Sequence, residues 1–261
     1  MNHFSSFSPF TNIFLLNSLN IKVKFILYII LFGVFIMLKL TYISHSAFIL
    51  EDGEYKVIID PYITGNPTAT IKWQDVSANY IALTHAHGDH FGDTLQIAKA
   101  NKSTVIAVNE LANYVARKGV NAHNMHIGGS HNFPFGKLKF TIAHHGSSTD
   151  DGEYMGEPAG IVITIGGKTI YHAGDTGIFM DMKLIAELDK IDVFLVPIGG
   201  NFTMDSSDAA KATQFVSPKL VIPMHYNTFP AINTDPNQFK QLVEKDGFNC
   251  RVMNYGETIE L

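Results

Sequence analysis

Residues able to bind a metal ion are concentrated in the short segment His85-Ala86-His87-Gly88-Asp89-His90. Imidazole nitrogens and carboxylate oxygens are common ligands of zinc, and they also suit iron and manganese. An apolar stretch, Tyr80–Thr84, precedes the segment and predicts a buried strand. His85 and His87 are two residues apart, so their side chains point the same way in an extended chain. Gly88 permits a turn, after which Asp89 and His90 can face a second position. Such a short segment cannot enclose two ions, so further ligands must come from distant parts of the chain.

Further candidate ligands stand directly after other apolar segments that predict strands. Strand ends from one sheet layer can bring such residues together, as a metal-centred active site requires. Adjacent residues at a strand end point in opposite directions, so only one of His144 and His145 can be a ligand. The candidates are His144 or His145 after Leu138–Ala143, Asp175 after Thr169–His172, and His225 after Leu220–Pro223.

Several other reactive residue types have simpler explanations. His123 and His131 lie in polar, loop-like sequence, and we expect both to stand outside the site. Cys250 is the single cysteine, and no activating partner is visible near it. We therefore predict that it is a core residue and not a nucleophile.

The order of predicted elements indicates how these residues are positioned. The part from Leu38 to about His172 is rich in short strands, with a tight hairpin predicted at Gly166-Gly167. The last third alternates helices with strands, and Asp235 and Pro236 are typical of a helix start. This order favours two sheets sandwiched between helices. Neither a linker nor a short repeat interrupts residues 37–261, which we interpret as one domain.

Composition limits the classes of function. The chain has 261 residues, a formal net charge of −5 and one cysteine. A single cysteine excludes a disulfide scaffold, and a mildly acidic chain lacks the broad positive charge of a nucleic-acid-binding protein. We therefore expect a small-molecule substrate and no nucleic-acid partner. Oligomeric state stays open, with a homo-oligomer as one possibility, and cytoplasm is the default compartment.

The first 36 residues differ from the rest of the chain. They contain no acidic residue, and an unbroken apolar run, Phe25–Leu38, follows Lys22 and Lys24. This run is shorter than the roughly 20 residues of a comfortable membrane span. We interpret residues 1–36 as an N-terminal extension that is a translated leader upstream of a natural start at Met37. A membrane anchor over residues 25–38 and an export signal are the alternatives, and a membrane would be a partner only if the extension is retained.

The metal-binding pattern resembles that of the metallo-β-lactamase superfamily. The resemblance lies in His85-x-His87-x-Asp89-His90, followed in order by His145, Asp175 and His225. Within that superfamily, residues 37–261 resemble the UPF-type metal-dependent hydrolases, which are similar to the ascorbate-phosphate lactonases. The segments that carry this second resemblance are His45-Ser46-Ala47, Ile58–Pro61, Gly65-Asn66-Pro67, Met125–Gly129, Tyr171–Thr176, Pro197–Phe202 and Pro223–Tyr226.

The resemblance implies a fold and a set of metal ligands. The fold is the four-layer αββα sandwich, of mixed α/β class, with two divalent ions at one edge of the paired sheets. His85, His87 and His145 would hold one ion, Asp89, His90 and His225 the second, and Asp175 would bridge both. His45, Asn201, His126 and His172 fall in the resembling segments; they are candidates to orient ligands or to contact substrate, with His45, Asn201 and Asp89 as the candidates for a direct catalytic role.

The implied activity is metal-dependent hydrolysis. Two ions, zinc or else manganese or iron, would lower the pKa of a bridging water so that hydroxide attacks a small ester, lactone or phosphoester. A thioesterase has a similar ligand set. A nuclease of the same superfamily and a non-catalytic metal sensor are the alternatives. Substrate choice is expected to depend on the loops Tyr62–Trp73 and Gly146–Glu157.

Overall fold

The computed structural model describes residues 37–261. The predictions for residues 1–36, including the leader and most of the membrane-anchor segment 25–38, lie outside the described residues. Within the described part, no helix has the length and apolar character needed to cross a bilayer. The strands form two sheets, and helices cover the outer faces of these sheets.

The first sheet has seven strands in the order β13-β1-β2-β3-β4-β5-β6. An antiparallel half, β13 with β1, β2 and β3, continues into a parallel half, β3 to β6. Parallel strands end at the same edge of a sheet, so the segments that follow β3 and β4 lie side by side. The strands are β1 (Lys39–Ser44), β2 (Ala47–Glu51), β3 (Lys56–Ile59), β4 (Tyr80–Ala82), β5 (Thr104–Val108), β6 (Ala122–Met125) and β13 (Glu257–Glu260).

The second sheet has six strands in the order β12-β11-β10-β9-β8-β7. Its strands β10, β11 and β12 are parallel, so their carboxyl ends also meet at one edge. The predicted hairpin is confirmed, because Ile165 pairs with Lys168 across the two glycines. The strands are β7 (Ser130–Phe133), β8 (Gly136–Ile142), β9 (Ala159–Ile165), β10 (Lys168–His172), β11 (Val193–Pro197) and β12 (Leu220–Met224).

Within residues 37–261, six helices cover the two sheets or carry candidate ligands. The fifth of them begins where Asp205 accepts hydrogen bonds from the backbone of Ser207 and Asp208, and the sixth begins at Pro236 behind the predicted cap Asp235. The helices are α1 (Gly88–Phe91), α2 (Thr94–Asn101), α3 (Asn109–Arg117), α4 (Met182–Leu188), α5 (Ser206–Val216) and α6 (Pro236–Lys245), with short 3₁₀ turns at Trp73–Asp75 and Pro230–Ile232.

Alternation along the strands separates two apolar layers. In β11, Val193 and Leu195 belong to the core between the sheets, while Phe194 and Val196 face the layer that also holds α5 and α6. This period of two is what a strand buried on both faces requires. The predicted sandwich of two sheets with outer helices, of mixed α/β class, is therefore confirmed.

The structure also shows where two predicted non-site histidines and the single cysteine lie. His123 and His131 were expected in loops, but they lie on β6 and β7, where their rings are 4.5 Å apart. The loop prediction was wrong because these edge strands are short and largely solvent-exposed, so they lack an apolar alternation. Cys250 is buried, as predicted for a core residue.

Candidate metal centre

Three histidines form the first ligand group, at the edge where the parallel strands of both sheets end. His85 follows β4, and its Nε2 lies 3.0 Å from His87 Nδ1. His145 follows β8 and brings its Nε2 to 3.3 Å from the same His87 nitrogen. Nitrogens bound tetrahedrally to one zinc at about 2.0–2.1 Å lie about 3.3–3.4 Å apart, so this spacing suits a shared ion.

The second group combines Asp89, His90 and His225 with the buried ring of His45. Asp89 and His90 lie on α1, the single turn of helix that begins at Gly88. His225 follows β12, and its Nε2 is 3.9 Å from Asp89 Oδ2. The turn predicted at Gly88 thus brings these two candidate ligands to a second position, separate from His85 and His87.

Asp175 lies between the two groups. Its Oδ2 is 3.6 Å from His145 Nε2 in the first group and 3.0 Å from His225 Nε2 in the second. Its Oδ1 is 3.2 Å from His90 Nε2. A carboxylate placed this way can reach two ions at once.

Several atoms that face this region have no hydrogen-bond partner among the described residues. They are buried, and a buried polar atom without a partner is costly. The pairs just described are close, but their geometry does not make hydrogen bonds. Bound cations would supply the missing partners, so the donor set fits metal ions. The atoms are His90 Nε2, Asp175 Oδ1 and both ring nitrogens of His225.

An outer layer of hydrogen bonds orients the imidazoles. Asp60 accepts from His90 Nδ1 at 2.7 Å and from the Thr84 hydroxyl at 2.6 Å. The Thr84 oxygen in turn lies 2.9 Å from His85 Nδ1. Ligating histidines commonly use the second nitrogen in this way, which fixes ring direction and raises ligand basicity. Asp60, His85 and His90 also lie close enough to be a third ligand group, but Asp60 is already used by these hydrogen bonds.

Charge at two of the ligand candidates matches what metal binding needs. Burial, followed by the charge of His90, lowers the pKa of His85 well below its usual value, which favours the neutral ring. Burial alone would raise the pKa of Asp175, but His225 and His90 lower it well below its usual value. Neutral imidazoles and ionised carboxylates are the forms that bind metal ions. His90 differs, because burial alone would lower its pKa but Asp175 and Asp60 raise it well above its usual value.

A family model for the β-lactamase superfamily domain matches residues 39–225, a range that contains every ligand candidate. The chain belongs to the β-lactamase superfamily. Two curated relatives, both named UPF0173 metal-dependent hydrolase, place it in that family of the superfamily. The protein from Carboxydothermus hydrogenoformans is 50% identical over 86% of this chain and all of its own. The protein from Geobacillus sp. is 54% identical with the same coverage.

A solved structure supports the same assignment. Igni18, described as a metallo hydrolase from Ignicoccus hospitalis, is 40% identical and superimposes with a TM-score of 0.80 over 86% of this chain and 98% of its own. The predicted family resemblance is thereby confirmed, and this UPF0173 chain is a metal-dependent hydrolase with the metallo-β-lactamase fold.

Strand-end geometry in this UPF0173 chain brings His145, and not His144, to the ligand groups. His144 is exposed, and its ring packs edge-on against Phe179 at 5.1 Å. Its backbone N–H donates to the Thr176 hydroxyl at 2.9 Å. The two neighbours point apart, as the sequence required.

Of the four candidates for supporting roles, one lies against the centre and another holds a turn that leads into it. His45 Nε2 is 3.2 Å from Asp89 Oδ2, and its Nδ1 is 2.9 Å from the Thr228 hydroxyl. Burial, together with His225, lowers the pKa of His45 to about 4, so the ring is neutral at pH 7. Because the Asp89 carboxylate only accepts, His45 Nε2 carries the proton and Nδ1 accepts from Thr228.

His172 holds the turn that leads to Asp175. Its Nε2 lies 3.0 Å from the Ser46 carbonyl oxygen, and its Nδ1 accepts from the Gly174 N–H at 3.1 Å. Both nitrogens are therefore satisfied without a metal. The ring fixes the turn that carries Asp175 against the β1–β2 hairpin.

The other two candidates for supporting roles lie apart from the ligand atoms. His126 is exposed and lines a separate cavity with Glu110 and Tyr154. Asn201 has an exposed, left-handed backbone position with φ of 52°. Its neighbour Phe202 lines the space over the ligands. The family-like segments alone did not show that His45 lies at the centre and that these two residues do not. The direction of each side chain depends on turns whose conformation the sequence alone does not determine.

His45→Ala is expected to weaken metal binding about 10- to 100-fold, because Asp89 would lose the donor that orients it. Competition against a chromophoric zinc chelator measures this affinity. His126→Ala is the matched control, since it removes the same ring from a resembling segment outside the centre. Equal affinities for the two variants would show that His45 does not position Asp89.

Proposed function

We propose that this hydrolase holds two divalent ions, zinc in the first instance, and uses them on a small ester, lactone or phosphoester. The observation that carries the proposal is the position of Asp175 within 3.6 Å of nitrogens from both ligand groups. A mononuclear site would not need a carboxylate between two sets of imidazoles. His85, His87 and His145 would hold one ion, and Asp89, His90 and His225 the other.

Bound ions of this kind lower the pKa of water toward neutrality and polarise the oxygen of the substrate. The chain itself provides orientation and charge. The Asp60 and Thr84 hydrogen bonds fix the rings of His90 and His85, and His45 fixes the Asp89 carboxylate. Their burial means that little reorganisation is needed when substrate arrives.

The reacting part of a substrate would lie directly over the candidate metal centre. A cavity of about 230 Å³ opens over the centre and is lined by His87, Asp89, His145, Asp175, Phe202 and His225. The side chains of Asp89 and His145 are partly exposed there, at 27% and 15%. This space suits one small functional group, and it supports a small-molecule substrate over a polymer.

Metal content of the full-length protein, purified without chelator and measured by elemental analysis, tests the proposal. We expect about two equivalents of zinc, manganese or iron. Hydrolysis of a panel of carboxylic esters, lactones, thioesters and phosphoesters should be lost on chelation and restored by the metal found. One equivalent in fully active protein would contradict the binuclear site. Two equivalents with no turnover across the panel would instead favour the metal sensor.

A further inference from the structure

A second and larger cavity adjoins the metal centre. Its volume is about 620 Å³, and it shares His87 and Asp89 with the smaller cavity over the ligands. Tyr62 and Asp150, which lie in the two loops expected to govern substrate choice, both contribute to its wall. A substrate that reacts at the centre can therefore extend into this space.

Aromatic rings form one side of the larger cavity. The rings of Tyr62 and Phe229 are 6.3 Å apart, and each packs edge-on against His45 at 5.8 and 5.5 Å respectively. The Tyr62 hydroxyl donates to the Gly65 carbonyl oxygen at 2.9 Å. That hydrogen bond holds the ring in place, so the wall presents an apolar face joined to the metal centre through His45.

Every charged group on the larger cavity is acidic; no lysine or arginine lies among the described residues of its lining. Asp93 is occupied, because its Oδ2 accepts from the backbone N–H groups of Ile63 and Thr64. Among residues 37–261, no hydrogen bond or ion pair holds the Asp150 carboxylate, although it lies close to the ligand turn. A Cβ atom added to Gly88 would be 2.8 Å from Asp150 Oδ1.

We infer that the larger cavity binds the non-reacting part of the substrate, and that this part is an apolar group carrying a positive charge, such as a substituted ammonium. Aromatic faces attract cations, and Asp150 adds a negative charge at the rim. An anionic group placed at Asp150, including the phosphate of a sugar phosphate, would meet a carboxylate with no lysine or arginine in the described lining to offset its charge. This inference rests on the proposed function and narrows its substrate class.

The test measures binding without turnover. Ligand-observed NMR titrations of the full-length, zinc-loaded protein would use benzyltrimethylammonium, benzyl methyl ether and benzenesulfonate as cationic, neutral and anionic probes. We expect the cation to bind at least about fivefold more tightly than the sulfonate. Asp150→Asn should weaken the cation about threefold to fivefold and leave the ether unchanged. Tyr62→Leu should weaken both.

Asp151→Asn is the matched control. It makes the same charge change one residue away, at an exposed position that does not line the cavity. Equal binding of cation and sulfonate, or an equal effect of the two Asp→Asn variants, would overturn the inference. The hydrolysis panel distinguishes failure of this inference from failure of the proposed function. Preferential binding of the cation without hydrolysis of any panel substrate would reject only the proposed catalysis. Equal rates of hydrolysis for cationic, neutral and anionic substrates would reject only the inference about charge.

Discussion

Asp175→Ala is expected to remove bound metal and to lower hydrolytic turnover about 10³-fold or more. Among residues 37–261, Asp175 is the one carboxylate within 4 Å of all three of His145, His90 and His225. Its loss would leave both ligand groups without their common negative charge. In the proposed mechanism, metal ions would supply both the activated water and the stabilisation of developing charge, so the variant would lose both. Elemental analysis should show the content falling below one equivalent.

The control for this prediction is Asp208→Ala, which removes an exposed carboxylate from the first turn of α5. It should keep the wild-type metal content. Circular dichroism of both variants shows whether the fold is retained. If folded Asp175→Ala kept two equivalents, Asp175 would not bridge, and the two-ion arrangement would need a different shared ligand.

Much of the metal centre could be predicted from residue type and spacing. The cluster at His85–His90 follows a strand, and His145, Asp175 and His225 each follow another. Parallel strand ends gather at one edge whatever the details of packing, so local sequence contains most of the information. The opposite directions of neighbouring side chains also required that His144 and His145 separate, as they do in the structure.

Side-chain partners between neighbouring strands of the first sheet could not be predicted in the same way. Asp60 was visible only as part of a resembling segment, yet its carboxylate joins Thr84 and His90 through hydrogen bonds from different parts of the chain. Such contacts depend on the register between β3 and β4. The hydrophobic pattern shows which face of each strand is buried, but it does not show how far one strand is shifted along the other. The sequence also could not show which of His126 and His45 supports the metal centre, because that depends on how distant segments pack together.

Backbone conformation is a further feature that residue patterns did not reveal. Asp60, His45 and His225 all have positive φ, at 46°, 55° and 54°. Non-glycine residues rarely adopt this region, and each instance costs on the order of 1–3 kcal/mol. Their concentration beside the ligands indicates that packing in the surrounding sheets stabilises a centre whose backbone is locally unfavourable.

Gly174→Ala is therefore expected to destabilise the fold strongly, by about 3 kcal/mol or more. Gly174 has φ of 65°, and an added Cβ would lie 2.6 Å from the Ala159 carbonyl oxygen and 3.3 Å from Thr84. The methyl group adds backbone strain of about 1–2 kcal/mol to an overpacking cost of about 1–3 kcal/mol. Urea unfolding followed by circular dichroism measures the change in the free energy of unfolding.

Gly119→Ala separates the two costs, because Gly119 has φ of 78° and nothing within 4 Å of an added Cβ. It should lose only the strain part, about 1–2 kcal/mol. Since Gly174 directly precedes the bridging candidate, its variant should also bind metal more weakly under conditions where it stays folded, whereas Gly119→Ala should not. Equal losses of stability in the two variants would mean that the backbone around Ala159 can move away from the added methyl group at little cost. In that case the position of Asp175 could not depend on tight packing of the turn that carries it.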